Sequence, residues 1–299
     1  MKVFITSDSS CDLLPEQIKE NDISIIPIYV MLDGEEHKDG VDIDEQTIYD
    51  YVKATKKLPK TSAISIEDYR VFFESVLSKD PDSYVLHISL SSKISSTYNN
   101  SVTAANYFGG RVVSVDGKSL SIGTGLLVLY ACELAKAGLP LHEIAKRVEK
   151  RVPFVQASFI IQEVDYLYKG GRCSAVALLG ANLLKIKPRI QLVDGAMQNT
   201  GKPRGKMIAV LKQYFDDTLK DYPNPDKSIC CLAQTALEPE IIDEAVEYLN
   251  SKNIFKQILV VPAGATITSH CGKGTLGMFY INDGGKNWWK KYLLLFSQF

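Results

Sequence analysis

The first half of the chain alternates short apolar runs, rich in β-branched residues, with longer stretches whose apolar positions recur at helical spacing. The apolar runs predict strands at residues 1–6, 23–32, 84–90 and 111–115. The helical stretches predict a helix opened by Pro15 and further helices at residues 43–53, 65–78, 95–107, 119–136 and 141–150. Because strand and helix alternate repeatedly, we predict an N-terminal α/β domain, residues 1–152, with a parallel, Rossmann-like sheet.

The second half has a different pattern, with more strands in sequence and fewer helices between them. It predicts strands at 154–162, 190–193, 196–199, 228–234 and 257–262, and helices at 174–184, 203–220 and 239–252. Asp194-Gly195 predicts a tight hairpin, whereas residues 165–172, which contain two adjacent glycines, are predicted to form a polar turn. This pattern favours a C-terminal α+β domain at 153–283, followed by an aromatic and basic tail at 284–299.

Local signals mark two helix starts and leave one acidic pair ambiguous. Ser65, followed three residues later by Asp68, has the spacing of a capping box. Residues 9–12 are predicted to cap the helix that Pro15 opens. Asp8 and Asp12 stand four apart near a strand end, where two carboxylates can ligate Mg²⁺. Helix capping is the favoured interpretation of this pair.

Composition narrows the class of protein. The 299 residues carry a formal net charge of −1, which argues against nucleic acid as the main partner. Six cysteines without a C-x-x-C pair indicate reduced, buried thiols rather than a zinc site. We predict no metal and no signal peptide. The longest uncharged apolar stretch, between Lys118 and Glu133, is shorter than the ~20 residues that span a bilayer. These features predict a cytoplasmic protein.

Three segments, 61–65, 91–97 and 269–274, are rich in hydroxyls and backbone donors and contain no evident general base. Each lies where a predicted strand or loop gives way to the next element. In a parallel sheet, ligands bind beyond the carboxyl ends of the strands, so the first two segments are expected to converge. Hydroxyls and N–H groups that converge can hold an anion, and a helix N-terminus adds its dipole. Any one segment can equally be a helix cap, but three together favour a shared site.

Several catalytic motifs are matched only in part. Residues 272–277 fit G-x-G-x-x-G, but too little chain follows them for a dinucleotide fold. Residues 117–121 resemble a nucleophile elbow but end in Ser rather than Gly. Among the four histidines, only His270 stands in a polar, glycine-flanked segment, which is predicted to be a loop, and it has no evident acidic partner. We therefore predict no catalytic residues.

Six segments in the same order resemble the motifs of the DegV family, which includes the fatty-acid-binding subunits of bacterial fatty acid kinase. They are residues 6–13, 60–65, 91–98, 116–125, 168–174 and 270–275, within a resemblance that runs from residue 2 to about residue 280. Three positions depart from the motifs. Ala63-Ile64 stands in place of Gln-Pro, Ser96 in place of Gly, and Lys273 in place of Pro.

The resemblance implies a two-domain α/β protein with a ligand tunnel between its domains. It implies one bound long-chain fatty acid, no cofactor, and a separate ATP-dependent kinase that converts the bound carboxylate into an acyl phosphate for phospholipid synthesis. The residues that match the family's carboxylate-binding positions are Thr61, Ser62, Ser92, Ser95, Ser96 and His270.

Two further surfaces are open to more than one interpretation. A partner kinase is expected to dock on cationic residues, for which Lys169, Arg172, Lys202 and Arg204 are the candidates, although a solvated charged face explains them equally well. The tail, with Trp288-Trp289 beside lysines and leucines, fits packing on the body, a transient membrane contact or a self-association patch. Packing on the body is the favoured interpretation, and membrane contact ranks second. The alternative function is that of a stand-alone enzyme acting on an acyl or phosphorylated small molecule.

Overall fold

The computed structural model describes residues 2–173 and 186–285. The predicted helix at 174–184 and nearly all of the predicted tail lie outside these ranges. The first half contributes β1 (Val3–Asp8), α1 (Pro15–Glu20), β2 (Ser24–Ile26), β3 (Tyr29–Leu32), β4 (Glu35–Lys38), α2 (Glu45–Thr55), β5 (Lys60–Ser62), α3 (Ile66–Leu77), β6 (Tyr84–Ser89), α4 (Thr97–Ala105), β7 (Val112–Asp116), α5 (Ile122–Lys136) and α6 (Leu141–Arg151). The second half contributes β8 (Val155–Ile160), α7 (Val164–Lys169), β9 (Arg189–Val193), β10 (Ala196–Gly201), α8 (Met207–Asp221), β11 (Ile229–Thr235), α9 (Pro239–Ser251), β12 (Gln257–Pro262), α10 (Ala265–Cys271) and β13 (Thr275–Ile281).

The predicted parallel sheet is present in the first half. Its four strands lie in the order β2-β1-β6-β7, and every neighbouring pair is parallel. The predicted strand at 23–32 is wrong in one respect, because it divides at Pro27 into β2 and β3, which belong to different sheets. Proline has no N–H to give to a ladder, so a single continuous central strand is disfavoured there. Strand β3 instead pairs with β4 and β5 in a small antiparallel sheet.

The second half forms a mixed sheet of six strands in the order β10-β9-β8-β13-β11-β12. The predicted hairpin at Asp194-Gly195 is confirmed, and both residues have the positive φ that such a tight turn requires. The polar turn predicted at 165–172 is wrong over most of its length, because Val164–Lys169 is helix α7. Its buried residues, Val164, Tyr166 and Leu167, give the segment an apolar side that a solvated turn would not need.

Helix α5, predicted as a buried helix, lies between the two large sheets. One continuous hydrophobic cluster includes Ile88 of β6, Leu127 of α5 and Phe279 of β13, so the core passes from one sheet to the other through this helix. A Cβ on Gly125 would lie 2.7 Å from the carbonyl oxygen of Cys11, so only glycine permits this close packing. No helix within the described residues is long and apolar enough to cross a membrane.

Candidate functional site

A cavity of about 500 Å³ lies where the two halves meet. Its walls come from β5 and the segment after it, the loop after β6, the approach to α5, strand β10, the end of the α7 segment and helix α10. The lining residues are Ile28, Thr61, Ser62, Ala63, Ser65, Leu90, Ile94, Ser95, Ser96, Asn100, Leu120, Arg172, Met197, Thr266, Ile267, His270 and Cys271. The three hydroxyl-rich segments therefore all contribute residues to one cavity, although they are distant in the sequence.

One end of the cavity is polar and is built around His270. Thr61 Oγ1 lies 2.7 Å from His270 Nε2, a hydrogen bond across 209 positions of the chain. The Nδ1 atom of the same ring is buried and has no partner among the described residues. Burial, with a smaller contribution from Arg172, lowers the pKa of His270 to about 4. The imidazole is therefore neutral near pH 7 and carries a single N–H, on Nε2 or on Nδ1.

His270 lies in the last turn of α10, so the prediction that it stands in a loop is wrong. The chain turns at Gly272, which has φ +63° and ends the helix. A Cβ on Gly272 would come within 2.7 Å of the Tyr166 ring. The glycines that made this segment look like a loop instead terminate the helix and allow the close approach of α7.

Arg172 lines the cavity beside His270, although the sequence suggested it only as a docking residue. Its side chain is exposed, and Nη1 donates to the carbonyl oxygen of Gly170 at 2.6 Å. Gly170 also lies against the histidine, where an added Cβ would be 2.6 Å from Nδ1. Gly170 thus permits the backbone before Arg172 to approach the His270 ring closely.

Five of the six residues suggested for carboxylate binding line the cavity, namely Thr61, Ser62, Ser95, Ser96 and His270. Ser92 is absent from its lining. The Ser92 hydroxyl donates to Asp116 Oδ2 at 2.5 Å, and its backbone N–H donates to Oδ1 of the same residue at 3.2 Å. Asp116, at the end of β7, therefore turns this serine away from the ligand site.

The remainder of the cavity wall is largely apolar. Ile28, Leu90 and Leu120 are buried, and Ile94, Met197 and Ile267 are partly buried around them. Thr266 Oγ1 is buried in this wall without a partner among the described residues. A ligand with a small polar head and an apolar body matches this division between the two ends.

Two buried carboxyl groups hold the start of α10, a role for which the sequence carries no local signal. Asp12 Oδ1 accepts from Gly264 N–H at 3.0 Å, and Asp39 Oδ1 accepts from Ala265 N–H at 2.9 Å. Asp12 also accepts a hydrogen bond from the Ser121 hydroxyl. These bonds tie the helix that carries His270 to the first half of the chain.

The capping predicted for residues 9–12 is wrong for the helix that Pro15 opens, because that helix has Leu14 at its N-cap. Asp8 instead stands at the N-cap of a short 3₁₀ turn, Ser9–Cys11. Among the described residues, no group of three or more acidic, histidine or cysteine side chains is arranged to hold a metal ion. Burial is the largest cause of the raised pKa of Asp8, and it raises that of Asp12 to about 8.

The other predicted docking cations are exposed on the second half. Lys169 pairs with Asp165 at 3.4 Å on α7, and Lys202 and Arg204 follow the end of β10. The exposed pair of Lys169 with Asp165 contributes little to stability, and all three cations are accessible to another molecule. Lys202 also lines a second cavity, which shares no lining residue with the first.

Comparisons with known proteins agree with this architecture. Residues 2–283 match the family model described as an uncharacterised protein of the DegV family. A DegV domain-containing protein of Caldanaerobacter subterraneus is 30% identical over 282 residues, covering 93% of this chain and 98% of the relative. A similar relative from Deinococcus radiodurans is 30% identical over 280 residues, covering 93% of this chain and 98% of the relative.

Two solved structures are similar over nearly the whole chain. A DegV family protein of Thermus thermophilus, described by its fatty acid binding, superposes with a TM-score of 0.86 at 28% identity, covering 94% of this chain and 100% of the other. DegV of Bacillus subtilis, described as a fatty acid binding protein, gives a TM-score of 0.81 at 25% identity, covering 95% of this chain and 100% of the other.

Proposed function

The chain belongs to the DegV family, and from this premise we propose that it binds one long-chain fatty acid and presents the carboxylate to a separate ATP-dependent kinase. The observation that carries the proposal is the division of the cavity into a polar end and an apolar remainder. The fatty acid binding described for the Thermus thermophilus and Bacillus subtilis proteins supports the same ligand class.

The carboxylate would lie at the polar end, between Thr61, His270 and the loop that carries Ser95 and Ser96. A buried carboxylate must be paired or hydrogen-bonded, because leaving it unpaired costs several kcal/mol. With Nε2–H of neutral His270 donating to Thr61 Oγ1, the Thr61 hydroxyl proton is free to donate to the carboxylate. The serine hydroxyls add further donors, and Arg172 supplies the positive charge at the rim.

The hydrocarbon would lie along the apolar wall. Each buried CH₂ contributes about 0.8 kcal/mol, so a sixteen-carbon tail gains on the order of 10 kcal/mol before the costs of ordering the ligand. This term exceeds what the hydrogen bonds to the head add, at about 1.5–3 kcal/mol for each bond to a charged group. Affinity should therefore follow chain length, whereas the polar end fixes the orientation of the acid.

In the proposed reaction, a carboxylate oxygen attacks the γ-phosphorus of ATP held by the partner kinase, ADP leaves, and an acyl phosphate forms. Hydroxyls and a neutral imidazole leave more negative charge on the attacking oxygen than a full bidentate clamp would. The head lies beside exposed Arg172, so the oxygen to be phosphorylated is close to the surface. Lys202 and Arg204 are proposed to contact acidic groups of the kinase.

Ligand binding is tested by native mass spectrometry and lipid extraction of the purified full-length protein. We expect a co-purified fatty acid, and we expect Thr61→Ala to weaken binding about 10- to 100-fold because one bond to the charged head is lost. Thr103→Ala, the same change on the exposed face of α4, is the matched control. An empty wild-type protein with no measurable affinity for any long-chain acid would refute the proposal.

Docking is tested separately with an ATP-dependent fatty acid kinase from the same organism. Arg204→Glu should leave fatty acid affinity unchanged and lower acyl phosphate formation about tenfold or more, because a favourable charge contact becomes repulsive. Lys19→Glu, an equal charge change on α1, is the control. Arg172 is less informative here, because it also lines the lipid cavity. Unchanged turnover with Arg204→Glu would remove this residue from the docking surface.

A further inference from the structure

Arg189, at the start of β9, has a buried guanidinium group that is only partly satisfied. The residue is 7% exposed. Its Nη1 donates to Asp221 Oδ2 at 2.8 Å, and the guanidinium carbon lies 5.8 Å from the centre of the Tyr214 ring. The Nε and Nη2 atoms are buried and have no partner among the residues that the structure describes.

Those two atoms form one edge of the guanidinium plane. Their N–H bonds point in nearly the same direction, so this edge can donate to two oxygens of one carboxylate or phosphate group. Buried polar groups are normally hydrogen-bonded, and an arginine edge left open in a protein interior calls for a binding partner. The pairing with Asp221 uses Nη1 alone, so it fixes the orientation of the plane and leaves this edge free.

Arg189 lines a cavity of about 300 Å³ between the hairpin of β9 and β10 and helix α8. This volume lies at the lower end of the range for small-molecule sites. Exposed Lys202 lines the same cavity and adds a second positive charge, while Gln213 offers an amide. Asp217 contributes one carboxylate to the lining, which opposes anion binding and limits the expected affinity.

We propose that Arg189 and Lys202 form a second ligand site, which takes a small oxyanion in the cavity between β9, β10 and α8. Two ligand oxygens accept from Nε and Nη2 of Arg189, and Lys202 balances the remaining charge near the surface. Both nitrogens are buried in the structure, so the open edge of Arg189 must turn toward the cavity as the ligand enters, which favours a free carboxylate or phosphate compound over a protein side chain. The site is separate from the lipid cavity and does not depend on the proposed function.

The probes are inorganic phosphate and acetate, titrated into the full-length protein by calorimetry and thermal shift, with sodium chloride at matched ionic strength as the reference. We expect saturable binding in the millimolar range. Arg189→Lys retains the charge but loses the two-nitrogen edge, so both probes should bind about tenfold more weakly. Lys202→Gln should weaken phosphate more than acetate, because the ammonium acts as a point charge on the doubly charged ion.

The control is Lys206→Gln, because Lys206 is an exposed cation outside the cavity lining. This variant should bind both probes as tightly as the wild type does. An affinity for phosphate well above the affinity for acetate indicates a phosphorylated ligand, and equal affinities indicate a carboxylate ligand. Either result supports the site. If neither probe saturates below about 50 mM, where non-specific ion binding sets in, the proposal is overturned. It is also overturned if Arg189→Lys or Lys202→Gln binds as tightly as Lys206→Gln. If the buried substitution Arg189→Lys prevents folding, the exposed substitution Lys202→Gln still tests the site.

Discussion

Replacing Asp12 by Asn tests whether the bond network at the start of α10 depends on a protonated carboxyl group. Asp12 is 8% exposed and lies between the Gly264 N–H and the Ser121 hydroxyl. Burial raises its pKa from 3.8 to about 8, so in the folded protein it is largely protonated at neutral pH. When Asp12 is protonated on Oδ2, that O–H donates to the Ser121 hydroxyl oxygen instead of accepting from it. Asparagine keeps one oxygen for Gly264 and presents an NH₂ group to Ser121, so it has nearly the shape and donors of the protonated acid.

The direction in which stability changes with pH follows from the difference in proton binding between the folded and unfolded chains. Between pH 3.8 and about 8 the folded protein binds a proton at Asp12 that the unfolded chain has lost, so stability falls as pH rises through this window. At about 1.4 kcal/mol per pH unit, the whole shift corresponds to an upper limit of about 6 kcal/mol. The window from pH 5 to pH 8 covers three pH units, or at most about 4 kcal/mol of this. Because neighbouring dipoles and water reorganise around the carboxylate once it ionises, we expect about 2–3 kcal/mol to be lost in that window.

The assay is urea or thermal unfolding of wild type and Asp12→Asn between pH 5 and pH 8.5. We expect the two proteins to be close in stability at pH 5 and the variant to be more stable at pH 8, with a residual slope from Asp8, whose pKa is also raised. Asp243→Asn, on the exposed side of α9, should follow the wild type. Parallel pH profiles for wild type and Asp12→Asn would show that Asp12 ionises freely in the fold, and the account of this network would be wrong.

Three further predictions concern the site, one helix and the thiols. Gly170→Ala should weaken fatty acid binding about tenfold, measured by lipid titration, because its Cβ would lie 2.6 Å from His270 Nδ1; unchanged affinity would contradict this packing. Ser65→Ala should lower the free energy of unfolding by about 1 kcal/mol, since the Ser65 hydroxyl accepts from Asp68 N–H at the start of α3. All six cysteines are buried, so a thiol reagent should react slowly with the native protein and fully after denaturation; rapid native labelling would contradict the burial.

Features set by neighbouring residues were predicted well from the sequence. The capping box at Ser65 and the hairpin at Asp194-Gly195 depend on residues within a few positions of one another, and both are present as expected. The buried character of α5 follows from a long uncharged stretch. Such signals predict the elements around the parallel sheet, because the residues within each strand or helix favour that structure and agree with the final fold.

The site depends on pairings that no local signal contains. Asp12 meets Gly264 across 252 positions, and Thr61 meets His270 across 209. The contrast between Ser92 and Ser95 shows the same limit at close range. The two serines share one hydroxyl-rich loop, yet Asp116 from the neighbouring strand binds Ser92 and leaves Ser95 to line the cavity. Residue type therefore indicates the polar character of the cavity, whereas the tertiary neighbour of each side chain decides which hydroxyls line it. Ser92→Ala should consequently retain fatty acid affinity where Thr61→Ala loses it, and the reverse result would favour the sequence motif over the observed geometry.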